Sequence, residues 1–328
     1  MKTLLTSLVI AQAVGWALPT GSAADRKQTV IVVVGAAGAP EYAPEFARWA
    51  GLWQQACARG DAGSIGIGLE DEGEYQDCER IRTTLAAQSQ ETATPLWLVL
   101  IGHGTYDGKT ARFNLRGPDL AASDLAEWLK PIERPLAIID TASASAPFLK
   151  ELSAPGRVVV TATKSGFEYN YARFGQYLAE AIAQPQADLD KDGQTSLLEA
   201  WLTASHSVAA FYTANGRLAT EHALLDDNGD GLGTPAEWFR GIRPAQKARN
   251  DTTLDGYRAH QFHLVPSATE LAMPSELRAR RDQLELQILE LRDAKAQFPE
   301  TEYYGKLEAL LRGIASVYEQ AEASSVTR

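Results

Sequence analysis

Leu96-Trp97-Leu98-Val99-Leu100-Ile101, running straight into Gly102-His103-Gly104, decides the fold class of this 328-residue chain. Six apolar residues without polar alternation describe a strand buried on both faces, as in a parallel sheet covered by helices. The texture recurs on either side. Thr29-Val30-Ile31-Val32-Val33-Val34 ends at Gly35, and Ser64 to Leu69, Leu136-Ala137-Ile138-Ile139 and Arg157-Val158-Val159-Val160-Thr161 are further strands. Helical patterns separate them: one through Phe46, Trp49 and Trp53, then Glu79 to Ala87, Ser123 to Leu129 and Phe148 to Leu152. This alternation predicts a three-layer α/β/α sandwich with a mainly parallel sheet and right-handed crossovers. Helices Tyr171 to Ala183 and Leu197 to Tyr212 follow, and residues 218–225 read as a sixth strand. Gly35-Ala36-Ala37-Gly38 lacks the spacing and third glycine of a dinucleotide loop and reads as a tight turn.

Composition bounds the function. With 45% hydrophobic and 22% charged residues the chain has an ordinary globular make-up. Its net charge of −11 comes without a basic stripe, which argues against nucleic acid as a partner. Lys2, the apolar Leu4 to Leu18 and the small residues Gly21-Ser22-Ala23-Ala24 form a secretory-signal pattern over residues 1–24. Gln12, Gly15 and Pro19 shorten it below a membrane span, and no other stretch is long enough, so an exported chain is expected. Export to an oxidising compartment leaves two readings of Cys57 and Cys78, a disulfide or two separate buried thiols.

Two twelve-residue segments carry oxygen donors at the spacing of a calcium loop. In residues 188–199 the donors are Asp188, Asp190, Asp192, Gln194 through its carbonyl, Ser196 and Glu199. In residues 226–237 they are Asp226, Asn228, Asp230, Leu232 through its carbonyl, Thr234 and Glu237. Gly193 and Gly231 hold the sixth position, where the sharp turn needs positive φ. Calcium is therefore the expected cofactor, and weak extracellular sites suit export. His206 and His222 lie near these loops but read as structural, because imidazole is a poor calcium ligand.

The last sixty residues change character. Ser267-Ala268-Thr269-Glu270 is a capping-box pattern, and Leu277, Leu284, Ile288 and Leu291 mark one apolar seam. Leu307, Leu311, Ile314 and Tyr318 mark another, beyond the break at Phe298-Pro299. The expectation is an α/β domain over 25–265 with the metal-loop insertion at about 184–240, then a helical hairpin over 266–328. Its seams pack on each other or serve a partner or self-association.

Ligands of such sheets lie beyond the carboxyl ends of the strands. His103 stands there, and Asp140-Thr141-Ala142-Ser143-Ala144-Ser145-Ala146 stands at the next strand's tip. On these two tips and the strand order, residues 28 to about 225 resemble the caspase–legumain–gingipain superfamily of cysteine peptidases, which carries His-Gly after one strand and Ala-Cys after the next. The resemblance implies His103 as the catalytic-histidine equivalent, Gly104 as an oxyanion-hole donor, and Ser143 in the cysteine's place. A thiolate forms readily near neutral pH, whereas a serine hydroxyl needs a base in direct hydrogen bond. Asp140 or Asp107 would orient His103, or cap a strand end. Ser143 and Ser145 are nucleophile candidates or small turn residues, and Thr161-Ala162-Thr163-Lys164-Ser165 lines the crevice or caps a helix. The first expectation is an exported, calcium-binding pseudopeptidase that binds a peptide or protein as a scaffold module. The alternatives are an active hydrolase using Ser143 with His103 as base, and a regulator that forms a mixed dimer with an active relative.

Overall fold

The apolar run Thr29–Val34 becomes β1, followed by α1 (Tyr42–Arg59), β2 (Gly63–Ile67), α2 (Asp77–Gln88) and β3 (Leu96–Ile101). A small excursion, β4 (Gly104–Tyr106), β5 (Ala111–Phe113) and β6 (Leu120–Ala121), precedes α3 (Ala122–Leu129). Then come β7 (Leu136–Asp140), α4 (Ala146–Leu152), β8 (Arg157–Thr161), α5 (Phe174–Ala181) and α6 (Leu197–Ala214). The chain continues through β9 (Leu224–Asp226), β10 (Thr234–Pro235), β11 (Phe239–Arg240) and β12 (Arg243–Pro244). It ends with α7 (Ala268–Ala272), α8 (Ser275–Asp293) and α9 (Glu300–Val326). This computed structural model describes residues 27–69, 76–90, 94–182, 184–249 and 252–326. The secretory-signal pattern at 1–24 lies outside the described residues.

The central sheet runs β10-β9-β8-β7-β3-β1-β2. The five strands from β2 to β8 are parallel, while β9 and β10 add antiparallel at one edge. Alternate side chains of each strand enter opposite cores. Val30, Val32, Trp97 and Val99 pack with Trp49 and Trp53 of α1 and Trp201 of α6. Ile31, Val33, Leu98 and Leu100 pack with Ile81 of α2, Leu125 of α3 and Phe148 of α4. Each fully buried aliphatic or aromatic side chain contributes about 1.5–3 kcal/mol, so both layers are needed to hold the sheet. The two cysteines fall on opposite faces, Cys57 in the first core and Cys78 against the second. Both are free thiols, because the sheet stands between them.

Three further boundaries differ from the sequence reading. β4 to β6 form a separate three-stranded antiparallel sheet where a loop is expected. Strands of two or three residues are too short to display a period. α5 begins at Phe174 rather than Tyr171, since the Glu221 carboxylate accepts from the amides of Arg173 (2.7 Å) and Phe174 (2.9 Å). The sixth strand shrinks to Leu224–Asp226, and Leu218 stays 91% exposed.

Ser267 caps α7 through the Glu270 amide, but the Glu270 carboxylate turns to Arg281 of α8 instead of closing the box. α8 and α9 meet where Leu284 lies against Gly313, and Ile288, Leu291, Tyr303 and Val317 are buried. Leu311 and Tyr318 of the second expected seam face outward, so α9 turns a different edge toward α8. Among the described residues no helix is long and apolar enough to cross a membrane.

Candidate functional site

β3 and β7 are neighbours, and Leu100 stands in register with Asp140. The two tips therefore meet, as strand order predicts. Gly104 passes so close to the second tip that a Cβ there would come 2.3 Å from the Ser143 carbonyl oxygen. Gly104→Ala is expected to cost about 2–3 kcal/mol through forced separation of the tips, readable as a lower midpoint in urea unfolding. An unchanged midpoint would contradict this packing.

The side chains do not form a nucleophile–base pair. Ser143, only 3% exposed, donates from Oγ to the Gly104 carbonyl and accepts from the Gly104 amide, both at 3.3 Å. The amide that the resemblance casts as an oxyanion donor is thus occupied by the serine itself. The His103 Nε2–H donates to the Ala37 carbonyl (3.1 Å), which fixes the proton on Nε2 and leaves Nδ1 as the basic nitrogen of the neutral ring. Tyr42 and Phe46 hold the ring edge-on at 4.9 and 5.2 Å between centroids. Burial lowers the pKa of His103 and the Ala37 bond opposes it, so the ring is neutral at physiological pH.

Neither candidate orienter reaches His103. Asp107 caps its own turn through the amides of Lys109 (2.9 Å) and Thr110 (2.7 Å). Asp140 accepts from the Ala142 amide (3.0 Å), and its second oxygen is buried without a partner. Burial pushes its carboxyl up to about 7. Ser145 is used structurally, accepting from the amides of Ala162 and Thr163. Ala144 follows Ser143 at φ 54°, a strained conformation for a residue with a Cβ, tied by its amide to the Glu168 carbonyl. Glu168 also meets His222 Nδ1 at 2.6 Å, which pins the 164–171 segment over the tips. Tyr42 and Tyr171, whose rings meet His103, also line a cavity of about 740 Å³ together with Glu41, Glu45, Arg48 and Arg173; His103 and Ser143 do not line it.

The two acidic loops are conformational copies. In each, the first residue accepts from the fourth and sixth amides: Asp188 from Lys191 and Gly193, Asp226 from Gly229 and Gly231. The third residue accepts from the fifth amide and the fifth from the seventh, through Asp190 and Asp192 in one loop and Asn228 and Asp230 in the other. Positive φ falls at Lys191 and Gly193 in the first and at Gly229 and Gly231 in the second. This arrangement turns the carboxylates of Asp188, Asp190 and Asp192 toward one another, within 4.8 Å. Asp230 keeps one buried carboxylate oxygen with no partner. A buried carboxylate oxygen of that kind is suited to ligate a cation.

The loops differ at their twelfth position. Glu199 is 1% exposed and clamps the first loop, accepting from the Leu189 amide (2.7 Å) and, on its other oxygen, from the Ser196 amide (2.8 Å). Glu237 is exposed on a turn and lines a separate groove with His206, away from Asp226 and Asp230. β10 keeps the chain extended through Pro235, and Glu237 falls on the single 3-10 turn Ala236–Trp238, where Glu199 of the first loop stands in the first turn of the long α6. A residue the sequence did not single out takes over the inner side: Asp255 accepts from the amides of Asp227 (2.9 Å) and Asn228 (3.1 Å) and from the Thr234 hydroxyl (2.5 Å). Thr234 is therefore turned to a carboxylate rather than to the loop centre.

No protein-family description matches the sequence, and no curated protein does. Among solved structures, the Drosophila initiator caspase Dronc is 11% identical with a TM-score of 0.44, covering 72% of this chain and 95% of that one. Caspase-1 from Spodoptera frugiperda is 8% identical with a TM-score of 0.38, over 61% of this chain and 86% of its own. Protein GSU0716 from Geobacter sulfurreducens is 9% identical with a TM-score of 0.38, over 56% and 89%. Alignments this loose assign no site residue.

Proposed function

We propose that the chain is an exported pseudopeptidase of caspase type, a calcium-braced module that binds a peptide or protein at its strand tips without cleaving it. The observation that carries this reading is the hydrogen bonding of Ser143. A serine becomes a nucleophile only when a base takes its proton, and here its Oγ is spent on both backbone groups of Gly104. His103 keeps a fixed ring, but no carboxylate orients it, and the Gly104 amide is taken up by Ser143. The cavity behind Tyr42 and Tyr171, which carries Glu41 and Glu45 as well as Arg48 and Arg173, offers ring faces and charges of both signs to a polar peptide. A divalent cation would be held by Asp188, Asp190, Asp192, the Gln194 carbonyl and Glu199 in the first loop, and calcium by Asp226, Asn228, Asp230 and the Leu232 carbonyl in the second. It would supply rigidity to the edge of the sheet, since Asp226 ends β9.

Fluorogenic peptides in the presence of calcium test the proposal. No turnover above that of Ser143→Ala is expected from the wild type, whereas Ser143→Cys is expected to gain cleavage, because a thiolate needs no direct base. Wild-type turnover that disappears in both Ser143→Ala and His103→Ala would establish the active hydrolase instead.

A further inference from the structure

The first loop has what the second lacks, a nitrogen donor delivered from outside. His260 Nε2 stands 3.0 Å from Asp190 Oδ2. Ligand atoms of Asp190, Glu199 and His260 all lie within 4.8 Å of one another. Among the described residues no imidazole joins the carboxylates of the second loop in such a group.

His260 is held in place from both sides. It sits in the single turn Ala259–Gln261, where the Ala259 amide donates to Asp227 Oδ2 (2.8 Å) and the Gly256 amide to Asp227 Oδ1 (2.9 Å). Just downstream, the Leu197 amide donates to the Phe262 carbonyl (2.8 Å), and Ser196 forms a β-bridge with His263. The imidazole is thus carried on a segment fastened to both loops, which prepays much of the ordering a ligand requires. A second imidazole lies beside it: His263 is edge-on to His260 at 6.4 Å between centroids, and its Nε2 is buried with no hydrogen-bond partner.

The donor set decides which ion belongs there. Calcium prefers oxygen, whereas imidazole with carboxylates suits first-row divalent ions. The 3.0 Å contact between Asp190 and His260 is a hydrogen bond that a bound ion would replace, so the two ligand atoms already converge on one place.

We propose that the first loop is a mixed oxygen–nitrogen site for a first-row divalent cation, zinc in particular, with Asp190, Glu199 and His260 as ligands, while the second loop is the all-oxygen calcium site. The proposal rests on the metal-loop reading of residues 188–199 and revises which ion that loop takes.

Cobalt(II) titration of the full chain, followed by displacement with zinc, tests it. One equivalent of cobalt is expected, with visible d–d bands and no thiolate charge-transfer band, so that Cys57 and Cys78 are excluded as ligands. His260→Gln is expected to weaken zinc at least tenfold, and Asp190→Asn to do likewise. Asp226→Asn is expected to leave zinc unchanged while removing a calcium equivalent. Absence of cobalt binding by the folded chain, a thiolate band, or equal zinc affinity in His260→Gln would overturn the proposal. Zinc binding without any calcium binding would instead defeat only the calcium reading of the second loop.

Discussion

Replacing Asp226 by alanine is expected to remove one calcium equivalent and to lower the melting temperature by roughly 5–10 °C, even with the metal chelated. The side chain is 1% exposed, and its two oxygens accept from the amides of Gly229 (3.0 Å) and Gly231 (2.8 Å). Removing both acceptors leaves the Gly229 amide unpaired in a folded turn, at about 1–3 kcal/mol, and leaves the Gly231 amide only its second acceptor, the Ser153 hydroxyl (3.0 Å), at a smaller cost. A loss of about 2–4 kcal/mol corresponds to several degrees in a chain of this size. Asp226→Asn separates the two effects. It retains one acceptor oxygen and similar volume, so most of the metal-free stability is expected to survive while the calcium heat disappears. Calorimetry with both variants, alongside melting in chelator, measures each quantity. A calcium stoichiometry unchanged by both substitutions would refute the loop assignment.

Asp140→Asn is expected to change the stability difference from wild type by about 4 kcal/mol between pH 4 and pH 8, in favour of the variant at the higher pH. Asp140 is 1% exposed at the tip of the central strand β7, with one carboxylate oxygen unpartnered. Burial raises its pKa in the folded chain to about 7, from an ordinary value of 3.8. Below about pH 4 the carboxyl is protonated in both states, and the native chain carries no penalty. As pH climbs from about 4 to 7 the unfolded chain ionises freely while the folded one retains its proton, so wild-type stability falls, and the cost is complete above pH 7. Three units at about 1.36 kcal/mol each set the magnitude. Asparagine never ionises but brings a buried amide that costs about 1–3 kcal/mol, so the wild type is expected to be the more stable of the two at pH 4. Denaturant melts at the two pH values measure the difference, and a pH-independent one would show that Asp140 is charged and satisfied.

The parallel core was legible because its strands are continuous apolar runs, and covered parallel strands are almost the only structures that need them. β3 and β7 lie side by side as their sequence order suggested, which brought His103 and Ser143 to one place. The sharp turn at the sixth position of both acidic loops was legible too, since Gly193 and Gly231 take the positive φ it needs. What could not be read were directions set by distant neighbours. Ala37, whose carbonyl accepts the His103 Nε2–H hydrogen bond, belongs to the turn after β1, and no local pattern announces a carbonyl acceptor. Asp255 and His260 reach the loops from 28 and 70 residues away, inside a segment of short turns without period. Glu237 misled for the opposite reason. Its spacing matched the ligand pattern, but β10 pairs with β9 and keeps the chain from closing over the loop. The exposed outer stripe of α9 had the same cause, because a helix apolar over much of its circumference does not disclose which edge its neighbour will cover.

The inertness of Ser143 is tested most directly by treating the calcium-loaded chain with a fluorophosphonate, which phosphonylates serines whose hydroxyl is activated by a base, and locating adducts by peptide mass spectrometry. With its Oγ held by Gly104, Ser143 is expected to stay unmodified, at the same background level as in His103→Ala. A stoichiometric adduct on Ser143 that vanishes in His103→Ala would contradict the account.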